Sequence, residues 1–204
     1  AADTVKKVSF ELGGHAPFIV APSANLELAV KELIAPKFRN AGQTCMCPNR
    51  VFVHESIREA FVARLKEEVA GLKVGNGMEA GVTLGPLINQ AAVDKVKEHL
   101  RDALAKGAKL ETPEDPVSGT GYFVQPAILT DVSDDMLCMR EETFGPIAPI
   151  ATYRTTEEVI RRANQSPYGL AAYAFTRDLQ EAFAFSEGLE YGIVGLNDGL
   201  PATA

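Results

Sequence analysis

The 204 residues predict an α/β fold: an open, largely parallel sheet in three layers, with helices on both faces. Three observations carry this expectation. Apolar runs of period near two alternate with amphipathic stretches of period near 3.6. That alternation of strand and helix builds parallel sheets covered on both faces. Finally, 46% apolar and 23% charged residues make an ordinary globular chain, and at this length about 70% of the unfolded surface can be buried.

The strand candidates in order are Val8–Leu12, Pro17–Val20, Arg50–His54, Phe123–Leu129, Ile147–Tyr153, Ala171–Phe175 and Gly192–Leu196. A helix follows the second, with Leu26, Val30, Leu33, Ile34 and Phe38 in register, and should loosen near Gly42. Ser56 with Glu59 reads as a capping box ahead of Ile57, Phe61, Leu65 and Val69. A helix over Gln90–Lys106 carries Val93, Val96, Leu100 and Leu104 on one side, and Gly107 stands where a left-handed terminating residue belongs. Thr155 with Glu158, and Asp178 with Glu181, repeat the cap-plus-acid pattern. Glu111–Gly121, rich in Pro, Gly and acids, reads as a surface loop inside one domain.

Composition narrows the partners. Twenty Lys and Arg against 27 Asp and Glu leave a net charge of −7. No nucleic-acid or anionic-membrane partner is expected, because either calls for a clustered basic face. The doublets Lys6-Lys7 and Arg161-Arg162 read as solvated helix surface. No apolar run reaches the eighteen or so residues of a membrane span, and three cysteines fit a reducing, cytoplasmic compartment better than a disulfide scaffold. The sequon Asn164-Gln165-Ser166 is read as chance. His15, His54 and His99 lack ligand-like spacing, so no metal site is expected. Gly75-Asn76-Gly77 and Gly119-Thr120-Gly121 lack the third glycine of a dinucleotide fingerprint, and no P-loop is present.

Two segments carry chemistry. In KFRNAGQTCMCPNR (residues 37–50), a helix runs into Asn40-Ala41-Gly42 and leaves Cys45 in a tight polar connection before a strand. A partly exposed cysteine between an Arg-bearing helix end and a turn meets the conditions for a nucleophilic thiolate, although a single cysteine is usually a small buried hydrophobe. In VSFELGGHAPFIV (residues 8–20), Glu11 ends an apolar strand pattern ahead of Gly13-Gly14. A carboxylate beside a flexible glycine pair suits a general base, and equally suits a solvated strand end.

Together these segments are more specific. ELGGHAPFIV, FRNAGQTCMCPNR and EETFGPIAPI (141–150), with GPLIN (85–89) and SPYGLAAYAFTRD (166–178), resemble the aldehyde dehydrogenase superfamily in the same order along essentially the whole chain. Within it, KFRNAGQTC, REETFGP and EYGIVGLN are most similar to bacterial succinate-semialdehyde dehydrogenases.

The resemblance implies roles position by position. Cys45 is similar to the family's nucleophile, which adds to the aldehyde carbonyl, and its backbone N–H would supply half of an oxyanion hole. The second donor is an Asn of a segment outside this chain, and Asn40 is read as structural. Hydride then passes to NAD or NADP and leaves a thioester, which Glu11 would hydrolyse by activating water. Leu12, Glu142 and Phe144 resemble the residues at the nicotinamide and its ribose. Arg39 resembles the guanidinium that binds a distal carboxylate in semialdehyde dehydrogenases. The family's further carboxylate-binding Ser lies near Ala202, where this chain reads LPATA; Thr203 can replace it, or the acid is longer, as in glutarate semialdehyde. Cys47 stands where some relatives form a reversible disulfide, but is read as a plain neighbouring thiol, and Cys138 as core.

The resemblance also implies a domain assignment. Residues 1–204 are expected to be the cysteine-bearing catalytic domain, without the dinucleotide-binding domain and C-terminal tail, and therefore inactive in isolation without bound cofactor. The full-length enzyme is expected to be a homo-oligomer acting on a small aldehyde. A Glu at position 11 speaks against the acyl-transferring branch that hands its thioester to coenzyme A, and a non-catalytic module is the contrasting reading.

Overall fold

A computed structural model describes residues 2–112, 116–117 and 121–200. Seven strands form one sheet: β1 (Ala16–Val20), β2 (Pro48–His54), β3 (Lys109–Leu110), β4 (Ala127–Thr130), β5 (Ile147–Tyr153), β6 (Ala171–Phe175) and β7 (Ile193–Leu196). Their order is β3-β4-β5-β2-β1-β6-β7, and every neighbouring pair is parallel except β3 with β4. β1, β4 and β6 are buried along their whole length, the pattern of strands covered on both faces.

Helices α1 (Leu26–Phe38), α2 (Arg58–Ala70), α3 (Gln90–Ala105), α4 (Leu137–Arg140), α5 (Thr156–Asn164) and α6 (Leu179–Gly188) connect the strands. The chain moves leftward from β1 through β2 to β4, and rightward from β5 through β6 to β7, and crossovers between parallel strands are right-handed as a rule. This puts α1 and α2 on one face and α5 and α6 on the other, and α1 packs on α2 as α5 packs on α6. In the core, Phe18 of β1 stacks on Phe175 of β6 at 4.6 Å.

Several local expectations change. Val8–Leu12 is not a strand: residues 6–15 are irregular, and Val8, Phe10 and Leu12 are exposed, so no sheet face buries the apolar pattern. Glu11 is therefore not at a strand end. Ser56 and Glu59 do not form a capping box; His54 Nδ1 accepts from Ser56 N–H, which starts a short 3-10 turn at Glu55–Ile57 before α2. α1 ends at Phe38, four residues before Gly42, because Asn40 and Ala41 take left-handed backbone at φ 51° and 54°. On α3 the inner face is Val93, Val96, His99, Leu100 and Ala103, and Leu104 is exposed. The strand expected over Phe123–Leu129 begins only at Ala127, and β3, two residues long, was not anticipated.

Lys6-Lys7 lies in the irregular segment, not on a helix. Arg162 is largely buried against Asp134 and Glu158, with its guanidinium 5.1 Å from the Phe52 ring. Thr155 and Asp178 do cap α5 and α6, and Gly107 has φ 98°. The sequon amide of Asn164 is used twice, donating to Gly188 O and accepting from Glu190 N–H.

Candidate active site

β5, β2 and β1 are consecutive in the sheet and run parallel. The segments leading into them therefore meet at one edge, where the strands begin. Glu142 precedes β5, Cys45 precedes β2, and Gly13-Gly14 precede β1. Open α/β sheets usually carry their sites at the carboxyl ends of strands; here the motifs collect at the amino ends.

The contacts there are tight. A Cβ on Gly14 would lie 2.0 Å from the Cys45 carbonyl oxygen, so only glycine lets these backbones approach. Gly14 N–H also donates to Glu142 Oε1 at 2.8 Å. Gly42, at φ 78°, packs where a side chain would strike the Gly145 carbonyl. Gln43 Oε1 accepts from Ile88 N–H, which ties GPLIN to the same place. All five matching segments are linked, since Leu170 of SPYGLAAYAFTRD packs on Gly14. Asn40, Ala41 and Phe144 hold positive φ beside these contacts, the kind of strain that persists where surrounding structure over-determines the backbone.

Cys45 sits in a turn closed by Cys47 N–H donating to Thr44 O at 3.1 Å. It is the half-buried cysteine of the three; Cys47 and Cys138 are fully buried. The Cys45 N–H makes no hydrogen bond to another described residue. The Cys47 sulfur lies 3.5 Å from Lys37 Nζ, which also donates to Asn49 Oδ1 at 2.8 Å. Burial pushes the Lys37 amine down and the Cys47 thiol up. Burial likewise pushes the Cys138 thiol up to about 12.

Beneath the glycines, buried Arg50 donates to His15 O at 3.0 Å, Ala163 O at 2.8 Å and Tyr191 OH at 2.7 Å, and so anchors the ELGGH segment to the end of α5. Burial, with Arg50 nearby, pushes the His15 imidazole down to about 2. It is therefore neutral at any ordinary pH.

The remaining candidates flank these segments in sequence and make no hydrogen bond or ion pair with Gly14, Cys45 or Glu142. Glu11 and Arg39 are exposed, and neither side chain bonds to another described residue. Leu12 is 61% and Phe144 37% exposed. Ala202 and Thr203 lie outside the described residues. Sequence reasoning singled out Gly14 as part of a flexible pair but not as the point of contact with Cys45, and missed Lys37, Arg50 and Tyr173 as site-building residues. Lys37 carried a signal, being four residues from Leu33 on the apolar face of α1. Among the described residues no cluster of three or more His, Cys, Asp or Glu could hold a metal, and no helix is long and apolar enough to cross a membrane.

A largely parallel sheet thus brings a half-buried cysteine turn, a glycine pair and a carboxylate together at one strand edge, a site of the α/β class built around a cysteine. The sequence profile of the Aldehyde dehydrogenase family matches residues 1–204, and the chain belongs to that family. It is 50% identical to a glutarate-semialdehyde dehydrogenase of Pseudomonas aeruginosa, over 98% of this chain and 41% of the relative. It is also 50% identical to a 3-sulfolactaldehyde dehydrogenase of Pseudomonas putida, over 96% of this chain and 40% of the relative. A crystal structure of succinate-semialdehyde dehydrogenase from Burkholderia pseudomallei superposes with TM-score 0.95 at 51% identity, covering 99% of this chain and 42% of that one. The chain thus spans about two fifths of the length of these relatives.

Proposed function

We propose that residues 1–204 form the cysteine-bearing catalytic domain of an NAD(P)-dependent dehydrogenase for aldehydes with a distal acid group, with succinate semialdehyde the first candidate and glutarate semialdehyde the second. The observation that carries this reading is the junction of Gly14, Cys45 and Glu142 at the amino ends of three adjacent strands. The substrate class is supported by the relatives' names, each of which specifies an aldehyde with a carboxylate or sulfonate at its far end.

The chemistry follows from the residues. The Cys45 sulfur adds to the aldehyde carbon, and the carbonyl oxygen gains negative charge within reach of the free Cys45 N–H. Such preorganised donors are worth about 10²–10³ in rate each. Loss of hydride from the adduct leaves a thioester on Cys45. Glu11, exposed to solvent and without a side-chain partner among the described residues, takes a proton from water, which attacks the thioester carbon and releases the acid and the thiolate. Arg39, exposed and with no ion-pair partner among the described residues, binds the distal anion as a charge-assisted, forked donor.

The residues also fit a dinucleotide. Glu142 Oε1 is held by Gly14 N–H, and its Oε2 would be 2.9 Å from a Cβ at Gly13, so a cradle without side chains lies beside a fixed carboxylate. Glu142 would accept from ribose hydroxyls, with Leu12 and Phe144 against the nicotinamide end. When bound, NAD or NADP supplies the hydride acceptor.

The test is substrate discrimination. In a family-length enzyme carrying this sequence, Arg39→Ala should raise KM for succinate semialdehyde roughly tenfold or more while leaving a neutral aldehyde of equal length nearly unchanged. Equal effects on both substrates would remove the distal-acid assignment.

A further inference from the structure

The Cys45 turn is held from outside by one side chain that donates to its backbone. Tyr173, fully buried on β6, donates its hydroxyl to the Met46 carbonyl at 2.8 Å. The peptide unit it grips is the one between Met46 and Cys47. The N–H of that same unit donates to Thr44 O at 3.1 Å, closing the turn. Both ends of one peptide plane are thus fixed, and Cys45 is the corner residue next to it. The Cys45 carbonyl is blocked in turn by the Gly14 backbone. Little freedom remains to the turn except at the Cys45 side chain.

The aromatic ring is itself held. Phe18 packs against it with centroids 6.2 Å apart, and a Cβ on Gly195 would be 3.0 Å from its Cδ1. Burial, with the Cys47 and Cys45 sulfurs nearby, pushes the phenol up, so the hydroxyl remains a protonated donor throughout the working pH range.

We propose that Tyr173 is a positioning residue for the nucleophile: through the Met46 carbonyl it sets the direction in which the Cys45 sulfur and N–H point. This rests on the reading of Cys45 as the nucleophile. A turn without this tether samples other orientations of the 46–47 peptide, and reacting groups misplaced by an ångström lose rate steeply.

The test uses a family-length enzyme with Tyr173→Phe, which keeps the ring and removes the donor, beside Phe18→Leu, which loosens the ring's packing and leaves the hydroxyl. Two rates are measured: alkylation of Cys45 by iodoacetamide across pH, and succinate-semialdehyde oxidation. Tyr173→Phe should lower kcat about tenfold with KM within twofold, and should change the pH profile of Cys45 alkylation. Phe18→Leu should lower Tm with both rates within twofold of the parent. An alkylation profile in Tyr173→Phe that matches the parent overturns the proposal, as does equal slowing by both variants. Cys45→Ala separates the two claims: if it retains aldehyde oxidation, the nucleophile assignment fails, whereas the alkylation profile judges the tether independently of turnover.

Discussion

At the scale of single residues, three cysteines sharing one chain have different surroundings. Cys45 is half-buried in a turn, whereas Cys47 and Cys138 are buried and their thiols pushed up, the latter to about 12. Thiolate is the reacting form, so Cys45 should be alkylated by iodoacetamide well ahead of both others. Peptide mapping of a time course reads this directly, and equal or faster modification of Cys138 would contradict it. Gly14 makes the sharpest steric prediction. Alanine there would put a methyl 2.0 Å from the backbone oxygen of Cys45, an atom with no rotamer to yield. Gly14→Ala should therefore cost on the order of 1–3 kcal/mol in stability by overpacking. It should also move the Cys45 turn, visible as a drop in alkylation rate. A urea midpoint and alkylation rate equal to the parent's would show that the two segments can separate freely.

At the scale of elements, capping and buried imidazoles set the response to mutation and pH. Asp178 accepts from Glu181 N–H at 2.9 Å to start α6. Asp178→Ala should cost about 1 kcal/mol and lower Tm by roughly 2–4 °C. An unchanged Tm would show that the acid contributes nothing to the helix start. His15, at the entry to β1, is pushed down to about 2, chiefly by burial, and stays neutral in the folded chain; His99, on the inner face of α3, is also pushed down, chiefly by burial, against the opposing pull of Glu141. In the unfolded chain each binds a proton below about pH 6.5. Unfolding therefore takes up protons in acid, and stability present above about pH 6.5 falls as pH drops, by up to about 1.4 kcal/mol per pH unit for each group. Urea midpoints at pH 7.5 and 5.5 should fall in that order. A midpoint that rises on acidification would contradict the lowered histidines.

Legibility also differs by element. Ala171–Phe175 and Ile147–Tyr153 were readable because a sheet covered on both faces leaves an unbroken apolar run. Val8–Leu12 instead alternates apolar and polar residues, as a half-buried strand would, but has no strand partner, and local pattern cannot reveal whether a partner exists. The Ser56–Glu59 signal failed because His54 reached the same N–H first.

At the scale of the molecule, the sheet order makes the site. Glu11, Cys45 and Glu142 could be picked out as types and motifs, but nothing local in the sequence brings residue 142 beside residue 14. That follows from β5, β2 and β1 being neighbours, an arrangement set by long-range packing. Of the residues that hold the site together, Gly14 was legible only as half of a flexible glycine pair, and Arg50 and Tyr173 carried no signal, because each works through a backbone atom distant in sequence. The proposed reaction divides the labour, with Cys45 carrying the acyl group and Glu11 releasing it. Glu11→Gln should leave acylation intact and block hydrolysis, so the acyl group should accumulate. The direct measurement is intact-protein and peptide mass spectrometry of a family-length Glu11→Gln enzyme quenched after mixing with succinate semialdehyde and NAD or NADP. The account predicts a succinyl thioester on the peptide carrying Cys45, at close to one per active site. Full steady-state turnover with no adduct, or an adduct mapped to Cys47 or Cys138, would contradict it.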